Sequence, residues 1–549
     1  MKWLMNSAKI AAVLAGLVFS AGDLEAQVSF GRSTAGGHWN DGNWILNSGA
    51  TGFTPDINST VYLGNDIEVP GSAPFAALNV FTNESVKNLF GDNGELTIQN
   101  GGSLFVDNTF DFTGGTVTVE SGGTLTLDAV FGTFDGSGSG LVVDGGDATG
   151  IFQASNGATI SVTSASTVDG SFQAFGSGSS IQIDAATTVG QVVLEDGASL
   201  NVFAATNFQN SSTQGVISAT DSIVSLADDV DAEFVFVEGG SFFLNGGTLT
   251  TDNLIISRSA VTGNGPVISN EGGNFDVGRL VIDTDDIINM SASDNIRDQL
   301  SLGDGVVFHT AASLNLTEGV QISDQATLNL GGDLTAESLR QIGDLNRNGN
   351  TINVNQFSTS RNYTYDGTDT INEGVTVDGG ATLEVNANLL DLDTLSVNNA
   401  VANFNEDGSF NSISVFAGEL NVFDTLTTGF MSNINGVVNV EQQSGSMEGL
   451  AVDNLFAFGA TLNFEFDDAL SRSSQTQIDW AFRLTGDQQA TLQGLIDSGT
   501  VTFSGGGGQS IGVLFDGSFT YLGHSAIPEP STGVVLLGLG LVGLTRRRR

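Results

Sequence analysis

Carboxylates are the chain's most abundant reactive groups. Paired acids such as Asp228/Asp229, Asp285/Asp286 and Asp467/Asp468 are what general acid–base cleavage of a glycosidic bond requires. Their number makes each pair uninformative, because 62 Asp and Glu in 549 residues bring acids together by chance. A β-helix lyase or hydrolase acting on uronates would add a Gly-His-Gly, an Arg-X-Lys or an arginine-rich cleft, and the sequence holds none of these. His38, His309 and His524 stand alone, without an HExxH or a neighbouring histidine, so structural roles are expected for all three. One segment, "GDLNRNGNTINVN", places Asp344, Asn346, Asn348 and Gly349 as a calcium loop would. Its twelfth position is Asn355 instead of a bidentate Glu, and the expectation is a Gly/Asn turn. No catalytic residue is assigned.

The elements that would carry any site repeat one design, a Gly- or Asn-bearing turn followed by alternating apolar residues: "GGSLFVD", "GGTLTLD", "NGATISV", "GASLNVF", "GATLEV", "GATLNFEF". Alternation with period two predicts strands. The first apolar positions Leu104, Leu125, Leu141, Ile160, Ile181 and Leu200 recur at about 20 residues, the length of one turn of a coil that rises one strand spacing per turn. The expected fold is all-β: a long parallel β-helix with a small C-terminal cap, an N-terminal signal helix and a C-terminal transmembrane helix. Alternation also fits an antiparallel sandwich. The 73 glycines are roughly double the usual share, as a fold with positive-φ corners in every turn demands. Leu314, Leu328, Leu383, Leu420 and Leu462 are spaced less evenly, so loops or a second array are expected there.

Register places Asp107 outside its strand, with Asp128, Asp144 and Asp184 in the equivalent place of their own repeats. Carboxylates stacked about 4.8 Å apart repel. A ladder of Ca²⁺ or another divalent ion along these four acids is therefore one expectation, solvated carboxylates fanning apart the other; no further cofactor is expected and the metal assignment stays unknown.

The expected organisation is a signal peptide over 1–26, an N-terminal cap over 27–90, the repetitive body over 91–450, a β-rich cap with a short helix over 451–526, and a sorting tail over 527–549. Lys2 and Lys9 precede the apolar run "IAAVLAGLVF", a secretory signal pattern with cleavage expected near Ala26/Gln27. In the first cap, Trp39 and Trp44 lie among Asn and Asp, offering either a glycan-stacking patch or an apolar plug for the end of the coil. That stretch, "GGHWNDGNWILNSGATGFTPDINSTVYLG", resembles the opening of autotransporter-type passenger repeats of bacterial surface proteins. In the second cap, "DQQATLQGLIDSG" predicts a helix with Asp487 as N-cap, and Asp516-Gly517 predicts a hairpin.

Setting aside Asp23, Glu25 and Glu529 of the acids, and Lys2, Lys9 and Arg546–Arg549 of the bases, leaves about 59 acids against 10 bases in the exported body. Phosphate repulsion excludes nucleic acid as a partner. The absence of cysteine removes disulfides and thiolate metal sites, so packing and backbone pairing must hold the fold.

The chain closes on "IPEPSTGVVLLGLGLVGLTRRRR". As a helix, Ser531 to Thr545 would be roughly 22 Å long against a hydrocarbon core of roughly 30 Å, which suits transient inner-membrane insertion better than permanent anchorage. Pro528 and Pro530 stop the helix upstream, and Arg546, Arg547, Arg548 and Arg549 form a cytoplasmic stop. The three parts in this order resemble the PEP-CTERM sorting tail of Gram-negative bacteria. The resemblance implies that Pro528, Glu529 and Pro530 are the motif read by an exosortase-type processing enzyme. It further implies a protein exported to the cell surface, outer membrane or exterior, in company with extracellular polysaccharide and biofilm. A non-enzymatic structural or adhesive role follows as the leading expectation. The rivals are a carbohydrate-binding adhesin using Trp39, Trp44 and exposed phenylalanines, and a β-helix polysaccharide lyase or hydrolase.

Overall fold

The computed structural model describes residues 28–32, 36–39, 44–46, 51–53, 55–64, 77–209, 215–259, 267–269, 272–441, 449–466, 480–505 and 511–524. The segments read as signal peptide and sorting tail lie outside these residues. Among the described residues no helix is long and apolar enough to cross a membrane. The chain divides into two units, Met1–Val216 and Ile217–Arg549. Both are β-solenoids; together they are about 67% strand and hold about 18 turns.

Each turn of the first unit carries a long strand and a short one. The long strands Asn83–Asp92, Ser103–Thr113, Thr124–Asp135, Asp147–Ser155, Ser166–Phe175 and Thr187–Glu195 pair in parallel. The short strands Glu95–Ile98, Thr116–Glu120, Gly140–Asp144, Thr159–Ser164, Ser180–Ile183 and Ser199–Val202 form a second parallel ladder. Parallel pairing along both ladders decides for the solenoid over the antiparallel sandwich. Alternate residues of both ladders point inward and are buried, as with Val117/Val119, Leu141/Val143 and Ile160/Val162. The corners need glycine for space as well as for sign of φ. At the "GGSLFVD" corner Gly101 has φ +82°, and a Cβ on Gly102 would lie 2.3 Å from the Val80 carbonyl oxygen.

Two ladders also correct the sequence register. Leu104 pairs with Leu125 and then Ala148 on the long ladder, whereas Leu141, Ile160, Ile181 and Leu200 stack on the short one above Val117. The apparent repeat crossed from one sheet to the other after Leu125, because Ala148 is too small to announce an inward position in the sequence. At the start of the unit, Val28–Arg32 pairs antiparallel with Trp44–Leu46, which pairs with Thr51–Phe53. Val28–Arg32 also pairs in parallel with Ser59–Gly64, and Gly36–His38 with Ala77–Val80, so parallel stacking begins inside the stretch expected to be a cap.

The second unit repeats the plan with long strands from Val230–Glu238 to Trp480–Thr485. Its short strands include two separate arrays, one over Ile287–Asn289, Val307–His309, Thr327–Asn329 and Asp344–Asn346, the other from Tyr363–Tyr365 to Val501–Gly505. Of the loops or second array expected here, the strands show separate arrays: Leu328 lies in the first and Leu383, Leu420 and Leu462 in the last, where Ala402 and Val438 fill the missed rungs, while Leu314 lies on the long ladder. A buried pin sits at the seam. Asp369, 3% exposed, accepts hydrogen bonds from Arg347, from the Tyr363 hydroxyl, and from the Ile352 amide at 2.9 Å. Burial first, then the Asp369 carboxylate, raises the Tyr363 phenol well above its ordinary range.

Parallel stacking continues past residue 450 to Gly505. The helix Gln489–Asp497 forms with Gln488, not Asp487, at its N-cap, and buries Leu492. The hairpin Ile511–Phe515/Phe519–His524 turns at Asp516-Gly517 as expected and pairs antiparallel with Trp480–Thr485, closing that sheet edge. Arg483 lies over the rings of Trp480 and Phe519, 4.9 and 4.7 Å from their centroids.

Candidate functional site

The four acids expected to form one ladder are all exposed, but they do not stack on one another as a set. Asp107 and Asp128 follow the paired Val106 and Leu127 on the long ladder, whereas Asp144 ends the short strand Gly140–Asp144 and Asp184 follows the short strand Ser180–Ile183. Asp144 stacks between Glu120 and Ser164, and accepts from Thr163 Oγ1 at 3.1 Å and from the Ser164 hydroxyl. Asp184 accepts from Gln182 Nε2 at 2.7 Å. The four acids are thus divided between two sheets, and Asp144 and Asp184 are met by hydroxyl and amide donors, which corrects the single ladder read from the sequence. Among the described residues no group of three or more His, Asp or Glu is arranged to hold a metal ion.

The other expected residues fall out by burial and pairing. Trp39 is 1% exposed, so its indole fills the interior; a sugar ring has no access to it, and the stacking role is corrected for this residue. Trp44 lies in the strand Trp44–Leu46, with its side chain outside the described set. His309 stacks half-buried between Asn289 and Asn329. Asp229 holds a turn by accepting from the Thr248 amide at 2.7 Å, and Asp285 pairs with Arg258 at 2.7 Å. The "GDLNRNGN" segment is the short strand Asp344–Asn346 followed by a turn with Asn348 at φ +54° and Gly349 at φ +87°, and it delivers Arg347 to Asp369. Exposed phenylalanines are present in the second unit, where Phe416, Ile434 and Phe458 share one row, with Phe416 52% and Phe458 67% exposed.

The arrangement with the most chemistry was not singled out from the sequence. It lies on the outer face of the last short-strand array. Outward positions on successive strands bring Glu384, Asn403, Asn421, Asn439, Asn463 and Thr502 into one row. Asn403 donates to Glu384 Oε1 at 2.5 Å, Asn421 to Asn403 Oδ1 at 2.7 Å, Asn439 to Asn421 Oδ1 at 2.7 Å and Asn463 to Asn439 Oδ1 at 2.8 Å. Each amide fixes the rotamer of the next. Beside this row lies a groove of about 610 Å³, edged by Phe423 and Phe503 and by Glu441 and Glu465, which are register neighbours. Such a volume is within the range of small-ligand clefts, roughly 300–1,000 Å³. The sequence signal was present as "LEVN", "ANFN", "LNVF", "VNVE" and "LNFE", an outward Asn or Glu two residues after the strand start, but uneven loops disguised its period.

Comparison with known proteins adds one finding. The PEP-CTERM protein-sorting motif matches residues 526–549. No curated protein and no solved structure matches the chain. The match covers Pro528, Glu529, Pro530 and Arg546–Arg549, so the chain carries a PEP-CTERM sorting motif behind its β-solenoid units, and that motif implies export through an exosortase-type system to the cell envelope or surface.

Proposed function

We propose that this is a non-catalytic surface or matrix protein of a Gram-negative bacterium, held in extracellular polysaccharide and lending structure or adhesion to a biofilm. A Sec-type signal over 1–26 takes the chain out, the tail holds it briefly in the inner membrane, and exosortase-type processing near Pro528–Pro530 frees or transfers it. The body works without a resident cofactor. Stacked turns suit this role because adding a turn lengthens a binding face without redesigning it. The observation that carries the reading is the amide row from Asn403 to Asn463, a set of polar groups repeated at the rung spacing along an exposed face. The strong negative charge keeps such a protein soluble and apart from anionic lipid.

Fractionation of native cells, with mass spectrometry of the mature termini, tests it. The protein is expected in the polysaccharide-bearing surface fraction, shortened at the C-terminus, and deletion of 527–549 should leave it inside the envelope. Surface protein that still ends in Arg546–Arg549 would refute the sorting step. Shortening of the polysaccharide by the purified protein would refute the non-catalytic role.

A further inference from the structure

We infer that the groove beside the amide row selects an uncharged, hydroxyl-rich polysaccharide and turns away one built of uronic acids. The inference rests on the polysaccharide reading above and narrows it to a ligand class. It follows from counting donors and acceptors on the face. An Asn side chain offers two N–H donors and an oxygen with two lone pairs. Asn439 spends both donors, on Asn421 Oδ1 and on Glu419 Oε1 at 2.9 Å. Asn421 and Asn463 each spend one on the neighbouring amide oxygen. Thr502 gives its hydroxyl proton to Asn463 Oδ1 at 2.5 Å. Of the three amides that line the groove, Asn421 and Asn463 therefore each keep one N–H to offer a ligand.

Acceptors are more plentiful. The oxygens of Asn421, Asn439 and Asn463 each receive one bond from the row and keep a second lone pair. Glu441 and Glu465 add two carboxylates in register on adjacent strands, and among the described residues no cationic side chain lines the groove. A ligand that fits must bring donors. Sugar hydroxyls do, and each can also accept from the two amide N–H groups. A uronate brings carboxylates, which only accept; the two remaining amide N–H groups replace little of their water, and they would face two like charges about 4.8 Å apart. Phe423 and Phe503, the latter 41% exposed, supply apolar edges for the C–H faces of a pyranose ring.

The test is titration calorimetry on the full exported chain with two probes of equal length, a neutral glucan hexasaccharide and an oligoguluronate. The glucan should bind at least tenfold more tightly. Glu441→Gln with Glu465→Gln, two exposed changes that remove charge and add donors, should strengthen oligoguluronate binding about tenfold while leaving the glucan within threefold. Phe503→Ser should weaken the glucan several-fold. Oligoguluronate binding equal to or stronger than glucan binding would overturn this inference and leave the broader reading standing. Binding of neither probe would overturn both.

Discussion

Asp369→Ala is the substitution whose cost the structure defines most sharply. The carboxylate is fully enclosed at the seam where the short-strand array ending at Asn346 gives way to the one beginning at Tyr363, and it holds Arg347, the Tyr363 hydroxyl and the Ile352 amide. Removing one partner of a buried pair typically costs about 3–5 kcal/mol. Arg347 keeps a fallback in Asp366 at 3.8 Å and in the Tyr363 ring, 5.7 Å away, and its side chain is 27% exposed. The expected loss is therefore near the lower end, about 3 kcal/mol, or roughly a hundredfold in an opening equilibrium. A stacked array need not unfold in one step, so a global melt would dilute the effect. Hydrogen exchange read peptide by peptide resolves it: amides from about residue 345 to 375 should exchange roughly a hundredfold faster, while those of the first unit stay unchanged. Replacing the whole pin, Arg347→Met, Tyr363→Phe and Asp369→Leu together, should recover at least half of the loss, because no charge is then left buried alone. Less than a tenfold change at the seam, or a triple variant as damaged as the single one, would refute the assignment of Asp369 as the pin.

Leu420 is fully buried between Ala402 and Val438, so Leu420→Ala should destabilise the second unit by about 2–5 kcal/mol in urea titration, with little effect on the first. Tyr521 donates to Asp516 at 2.7 Å, and burial, then that bond, pushes its phenol up to about 12. A raised value means stability that is complete below pH 10 and lost as pH climbs from about 10 towards 12, so the closing hairpin should loosen in that window, and Tyr521→Phe should remove the dependence. Asp516 is held below its ordinary range by the Phe519 and Ser518 amides and the Tyr521 hydroxyl, so its contribution is present above about pH 4 and falls away in acid. Chelator should leave the melting temperature of the body unchanged, since Asp144 and Asp184 turn their oxygens to hydroxyl and amide donors; a drop of several degrees would restore the cation ladder.

The strand pattern, the coil and the closing hairpin were legible because each is a local property. Alternation marks strands wherever one face is buried, Asp516-Gly517 marks a hairpin by backbone conformation, and a glycine pair marks a corner. Register was less legible, because it depends on which strands meet after a full turn. Ala148, Ala402 and Val438 occupy inward positions without the large side chains that would advertise them. The same cause misplaced the acids: Asp144 ends and Asp184 follows strands of one sheet, while Asp107 and Asp128 lie on strands of the other. The amide row was hidden for a related reason, since Asn403, Asn421, Asn439 and Asn463 become neighbours only once loops of unequal length are folded away. Trp39 offered two opposite roles in the sequence, and only burial separates them.

Distance measurement between spin labels tests the stacking of turns most directly, and a chain without native cysteine accepts labels cleanly. Thr382, Val401, Glu419, Val437 and Thr461 form one outward row on five successive strands. Labels at Thr382→Cys and Val437→Cys should lie about 14 Å apart and those at Thr382→Cys and Thr461→Cys about 19 Å apart, one strand spacing of about 4.8 Å more for the extra turn. Separations that fail to grow by one strand spacing per turn would contradict the solenoid and, with it, the repeated face on which the proposed ligand lies.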